Sequence, residues 1–303
     1  MENIVHFDVA AVIMLIVMFV VSLTRKSYKG TTNRMFQLLI VTTLFGALFN
    51  ALTAGLENYS CKNDVLMYLC RSLYLLCHNF ATPVYVMYIV SLIRIWHKFK
   101  KHLALSVFAA IPYVVVVVSI LITPFTEFLY SYDNGVFTRK PAMIMVYIVA
   151  AFYLMLGMFY VARYNKILKK KNIVILLIAV PLMVIAVVLK VYFPKSLVEI
   201  FSNAVSLMII SMTIQNPDKN IDAITGLKKY SVYGDDIRTD FINGKHQKII
   251  FINLVNYDSL KRLLGYDGTN AFLKKWLNIL WSMTKSSRCI QIFITLTRAG
   301  SEW

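Results

Sequence analysis

Seven runs of about twenty residues, almost free of charge, constrain this chain more than any other feature. They cover residues 4–24, 35–55, 65–96, 103–122, 142–161, 173–192 and 197–214. A bilayer core about 30 Å thick is crossed by roughly 20 apolar residues rising 1.5 Å each. Backbone polar groups at that depth must be satisfied within the segment, which selects helices. Composition agrees: 58% of the 303 residues are hydrophobic and 16% charged, with a mean hydropathy of +0.64. A soluble domain carries about 25% charged residues. The expectation is a membrane-embedded, all-α bundle of seven helices. The first run reads as an uncleaved anchor, because Glu2 and Asp8 replace the basic start of a signal peptide and no small-residue cleavage site follows.

Charge between the runs alternates in sign. Arg25, Lys26, Lys29 and Arg34 follow the first run, Arg94, Lys98, Lys100 and Lys101 the third, and Arg163, Lys166, Lys169, Lys170 and Lys171 the fifth. These thirteen basic residues have no acidic residue among them. Glu2, Asp8, Glu57, Asp64, Glu127, Asp133 and Glu199 fall on the opposite side. Basic loops stay cytoplasmic, so the amino terminus is expected outside and the carboxyl segment inside. The net charge of +17 (32 Lys and Arg against 15 Asp and Glu) thus records topology largely, not nucleic-acid binding. The four cysteines (Cys61, Cys70, Cys77, Cys289) lack metal-ligand spacing.

Polar residues inside the runs are candidates for function. Arg71 and His78 are seven apart, two turns along one face of the third run, and Asn79 follows. Intramembrane ionisable groups often mark ligand or proton pathways. The plainer reading, which the sequence favours, has Arg71 snorkelling to the outer interface and His78 hydrogen-bonding a neighbouring helix. Lys190 reads as another snorkelling anchor, and Pro83 and Pro181 as kinks.

Composition changes after residue 212. Residues 213–303 carry 13 basic and 8 acidic residues, about the charge density of a soluble domain. The division expected is a membrane module over 1–212, a linker over 213–221 and an α/β domain over 222–303. Within it, 228–243 has helical periodicity, 248–255 (KIIFINLV) reads as a buried strand, and 257–264 as a short helix ended by Gly265. A second helix over 271–284 is capped by Thr269 or Asn270, and a strand of period two runs from Ile290 to Thr297.

This segment resembles the GGDEF domains of bacterial cyclic di-GMP signalling. Asp222-Ala223-Ile224-Thr225-Gly226-Leu227 is similar to their opening D-x-L-T-G-L, and Asn253-Leu254-Val255-Asn256-Tyr257 to D-I-D-x-F. Gly265-Tyr266-Asp267-Gly268-Thr269-Asn270 is similar to G-H-x-x-G-D, and Ala299-Gly300-Ser301-Glu302-Trp303 to the signature loop. The resemblance covers the first half of such a domain and implies a degenerate, truncated member. Divalent cations on GTP phosphates want carboxylate oxygens. Asn253 and Ser301 stand where the family has two of them, and Glu302 remains. Lys261 and Asn270 replace the family's guanine contacts, and Ala299 stands beside Gly300 where a glycine is expected. The implied product-inhibition motif is missing from 290–293.

Residues 132–141 (YDNGVFTRKP) resemble the D-N-G-x-Y-x-R-G-P loop of seven-span sensor modules in bacterial histidine kinases and cyclases. The function implied is an inner-membrane signalling receptor without cyclase activity. Its expected partners are the bilayer, an unknown small-molecule signal, and a second copy or other signalling proteins. No cofactor is expected, with magnesium and GTP relevant only to residual GGDEF function. Two alternatives stay open: a polytopic transporter, against which an odd span count and no internal repeat weigh, and an active diguanylate cyclase. A histidine kinase would need a phospho-acceptor soon after the seventh run, where only His246 stands, beside a strand.

Overall fold

The computed structural model describes residues 6–24, 31–58, 63–95, 103–133, 136–165, 168, 170–192, 198–215, 241, 248–254, 257–284 and 290–296. The chain divides into two units, Met1–Gln215 and Asn216–Trp303.

The first unit is a helical bundle: α1 (His6–Thr24), α2 (Thr31–Asn58), α3 (Asp64–Leu92), α4 (Leu103–Thr126), α5 (Met143–Arg163), α6 (Lys170–Tyr192) and α7 (Val198–Thr213). Among the described residues, α1, α2, α3, the Val107–Thr126 part of α4, and α5 are long and apolar enough to cross a membrane. α7 has 16 described residues, with Glu199 in its first turn. Pro83 and Pro181 lie inside α3 and α6 as expected, joined by Pro112 and Pro124 inside α4.

The distribution of polarity is inverted relative to a water-soluble bundle. On α1, Ile13 and Val17 are 59% and 56% exposed while Asp8 is fully buried. Asn50, Thr53, Arg71 and Asn79 are buried too, whereas Val114, Ile148 and Phe159 face outward. Water would reject such a surface and hydrocarbon accepts it. The bundle is that of a multi-pass membrane protein.

α3 packs against α2, α4 and α5, while α7 packs against α1, α2 and α6. Gly157 permits the close approach of α5 to α3, since a Cβ there would lie 3.0 Å from Ile89 Cδ1 and 3.3 Å from Tyr85 Cε1. Between α4 and α5 the chain forms an antiparallel hairpin, β1 (Tyr130–Asp133) with β2 (Val136–Arg139), pairing Tyr130 with Arg139 and Tyr132 with Phe137.

In the second unit β3 (Lys248–Leu254) pairs in parallel with β4 (Ile290–Leu296). Parallel neighbours need a crossover, and α8 (Tyr257–Thr284) lies between them in sequence. The two helices expected there meet at Gly265, whose φ of 68° and ψ of 178° suit glycine almost alone. The second helical segment therefore starts earlier than expected. Thr269 is no cap, and its Oγ1 donates to the Gly265 carbonyl at 2.7 Å, one turn back.

The unit boundary lies three residues beyond the expected 212. The Ile214 and Gln215 N–H groups still donate to Ile210 O, at 2.9 and 3.2 Å, and Gln215 Nε2 donates to Tyr88 Oη at 3.2 Å. The Asp222–Leu227 motif, the helix expected over 228–243 apart from Phe241, and the signature loop lie outside the described residues, as does the Lys190 side chain.

Candidate functional site

Three α3 side chains, Arg71, Tyr74 and His78, share one face because they are three and four residues apart. Each finds a partner from a distant element. Arg71 Nη2 donates to Glu57 Oε1 of α2 at 2.9 Å, and Tyr132 Oη of the hairpin donates to the same oxygen at 3.1 Å. The Arg71 guanidinium carbon lies 4.1 Å from the centroid of the Phe137 ring, close enough for a cation–π contact. His78 Nε2 lies 2.9 Å from Glu199 Oε1 of α7, and Tyr74 Oη donates to Glu199 Oε2 at 3.5 Å.

Arg71 is 9% exposed, and its charge is met by Glu57 near the end of α2 and by the Phe137 ring. His78 does contact a neighbouring helix, through a carboxylate that is 2% exposed. Asn79 donates to its own helix, from Nδ2 to Leu75 O at 2.8 Å. On α2, two turns before Glu57, Asn50 Nδ2 donates to Asp8 Oδ2 of α1.

The hairpin fastens over this cluster with aromatic side chains. Tyr130 Oη shares a 2.8 Å hydrogen bond with Ser72 Oγ, and Tyr132 N donates to Tyr68 Oη at 3.2 Å. The Tyr68 and Tyr130 rings stack with centroids 5.6 Å apart. Burial pushes the Tyr130 hydroxyl up to about 12, against the Ser72 hydrogen bond and the Arg71 charge, which both pull it down. Tyr132 is raised further, again by burial first, with Glu57 adding to the rise and Arg71 opposing it.

Beneath the hairpin lies a cleft with about 480 Å³ of empty space, lined by Arg71, Tyr74, His78, Phe137, Arg139, Met143, Val146, Tyr147 and Glu199 among others. A second cleft of about 540 Å³ is more apolar, lined by Leu39, Tyr85, Leu154 and Leu207. His78, Ala150 and Glu199 line both. Among the described residues no group of three His, Cys, Asp or Glu side chains is placed to hold a metal.

Of the positions suggested by the GGDEF resemblance, Asn253, Lys261 and Asn270 lie among the described residues. Asn253 sits in β3 opposite Thr295 of β4. Lys261 is exposed, with Nζ 5.4 Å from the Tyr266 ring centroid, and Arg262, Lys274 and Lys275 are exposed like it. Asn270 is half-buried and its Oδ1 accepts no hydrogen bond. Gly300, Ser301 and Glu302 lie outside the described residues.

Glu57 and Glu199 went unmarked as functional in sequence because they read as outer-loop acids. Their positions at the ends of apolar runs, opposite a run holding Arg71 and His78, were the available signal. Comparison with protein-family models, curated proteins and solved structures finds no match to this chain.

Proposed function

We propose that the chain is a bacterial inner-membrane signalling receptor. In this reading seven helices cross the membrane, with the amino terminus outside and the second unit in the cytoplasm, and the basic loops of the sequence support that orientation. The hairpin-covered cleft receives a small-molecule signal, and α7 passes the response to a degenerate GGDEF-type unit. The observation carrying this reading is the cleft itself. Arg71 and His78 line it from α3, each held by a carboxylate from another helix. Charges buried at such cost inside a membrane bundle are placed for use. A ligand that rearranged either pair would shift α2 or α7 against α3.

The second unit acts by contact and not by synthesis. Magnesium-bound GTP does not fit the donor set, since an amide (Asn253) and a hydroxyl (Ser301) stand where carboxylates would hold the cation. The test is the full chain in nanodiscs with GTP and magnesium, analysed by chromatography. No cyclic di-GMP above a protein-free blank is expected; clear turnover would restore the active-cyclase reading. Labelling of single cysteines from each side, at 62 and 169, checks orientation, with 62 reactive outside.

One observation favours a transporter as the second reading: the two clefts meet at His78 and Glu199. Substrate flux into proteoliposomes, lost on His78→Ala, would establish it.

A further inference from the structure

The second unit presents a corner on which apolar and basic side chains are mixed. Every residue from Lys261 to Asp267 is exposed. Leu263 is 82% exposed, Tyr266 57% and Leu264 46%. The break at Gly265 makes the corner, because its φ of 68° and ψ of 178° turn the chain between two helical segments. Across that break Lys261 Nζ comes 5.4 Å from the Tyr266 ring centroid, so a basic and an aromatic side chain share the tip. A different part of α8 is buried, at Thr269 and Leu273. Leu263, Leu264 and Tyr266 are therefore not the side chains that pack this helix.

Single exposed apolar residues are ordinary on a surface in water. Three large ones within four positions form a patch, and a patch marks a contact. Its neighbours indicate what covers it. Lys261 and Arg262 precede it, and Lys274 and Lys275 follow, all exposed. Residues 261–275 hold these four basic residues against one acidic residue, Asp267. Contacts between proteins are depleted in lysine. A lipid surface accepts the mixture: leucine and tyrosine enter the headgroup boundary while lysine and arginine stay with anionic phosphates. The chain itself supplies proximity. The second unit begins at Asn216, directly after the bundle ends at Gln215, and such a tether raises the effective concentration of bilayer surface around it.

We infer that the 261–267 corner docks on anionic lipid headgroups of the membrane that holds the bundle. Leu263, Leu264 and Tyr266 enter the headgroup region, and Lys261 and Arg262 meet lipid phosphates. The receptor reading is used only to name the leaflet as the cytoplasmic one; the docking does not depend on it.

The experiment is hydrogen–deuterium exchange on the full chain in two kinds of nanodisc, phosphatidylcholine alone and phosphatidylcholine mixed with phosphatidylglycerol. Both leaflets of a disc have the same composition, so orientation does not enter. Peptides covering 261–267 are expected to exchange about fivefold or more slowly in the anionic discs. High salt should abolish the ratio between the two discs. Lys261→Gln with Arg262→Gln should abolish it too, as should Leu263→Ser with Leu264→Ser; the wild-type comparison of lipids stands even where a variant fails to fold. Equal exchange in the two discs overturns the inference. So does protection that follows the number of chains per disc instead of the anionic lipid, which would place a second copy on the corner. The receptor reading fails separately: lipid-dependent protection of 261–267 that His78→Ala leaves unchanged, with the rest of 257–284 unchanged as well, would keep the docking and remove the signalling.

Discussion

Replacing Glu57 by alanine removes the carboxylate to which Arg71 Nη2 donates and leaves a guanidinium inside the bundle. The side chains of Arg71 and Glu57 are 11% and 14% exposed, so solvent screens the pair little. Breaking a buried pair from one side costs about 3–5 kcal/mol. Tyr132 Oη also loses its acceptor at 3.1 Å, adding roughly 1 kcal/mol. Contact with the Phe137 ring is present with or without Glu57 and leaves the sum unchanged. The expected net loss for Glu57→Ala is thus about 4–6 kcal/mol. Arg71→Met together with Glu57→Ala removes both charges and retains an apolar stem under Phe137. The double variant should recover about half of the loss or more, giving a coupling of roughly 2 kcal/mol. Equilibrium unfolding of the four proteins in mixed micelles measures this cycle. Additive effects, or a double variant less stable than Glu57→Ala, would refute the claim that this pair is a buried, mutually dependent unit.

Two other outcomes follow from the packing and the hairpin. Gly157→Leu should separate α5 from α3, because a Cβ already comes within 3.0 Å of Ile89, and lower the unfolding midpoint far more than the nearby exposed Met155→Leu. An equal effect of the two would contradict close packing there. Tyr130, raised to about 12 when folded against an ordinary value near 10, holds its proton more tightly in the native state. Its contribution to stability is full below about pH 10 and is lost as pH rises towards 12. The difference in tyrosinate absorbance between wild type and Tyr130→Phe should show one group titrating near 12, whereas a midpoint near 10 would place that hydroxyl in water.

Much of the helical architecture was legible because a membrane helix announces itself by length and apolarity alone. The Arg71–His78 spacing was also legible, since two turns of helix bring residues seven apart onto one face. Their partners were not. Glu57 precedes Arg71 by fourteen positions across a chain reversal, and Glu199 follows His78 by more than a hundred. No local periodicity links such residues. The 132–141 loop stood out as a motif, yet its function as a cover depends on Tyr68 stacking against Tyr130, a contact between distant elements. In the second unit Thr269 resembled a helix cap, but the positive φ of Gly265 set the boundary four residues earlier. Glycine marks such places in sequence without saying which side the helix resumes on.

The central claim is that the polar interior of the bundle and the second unit form one signalling device. Hydrogen–deuterium exchange on the full chain in nanodiscs tests it directly, comparing wild type with His78→Ala. The substitution removes the contact with Glu199 at 2.9 Å and leaves Tyr74 as the α3 side chain still bonded to that carboxylate. The account predicts altered protection within Tyr257–Thr284, far along the sequence from the substitution. Protection there identical to wild type, with changes confined to residues 6–215, would contradict it.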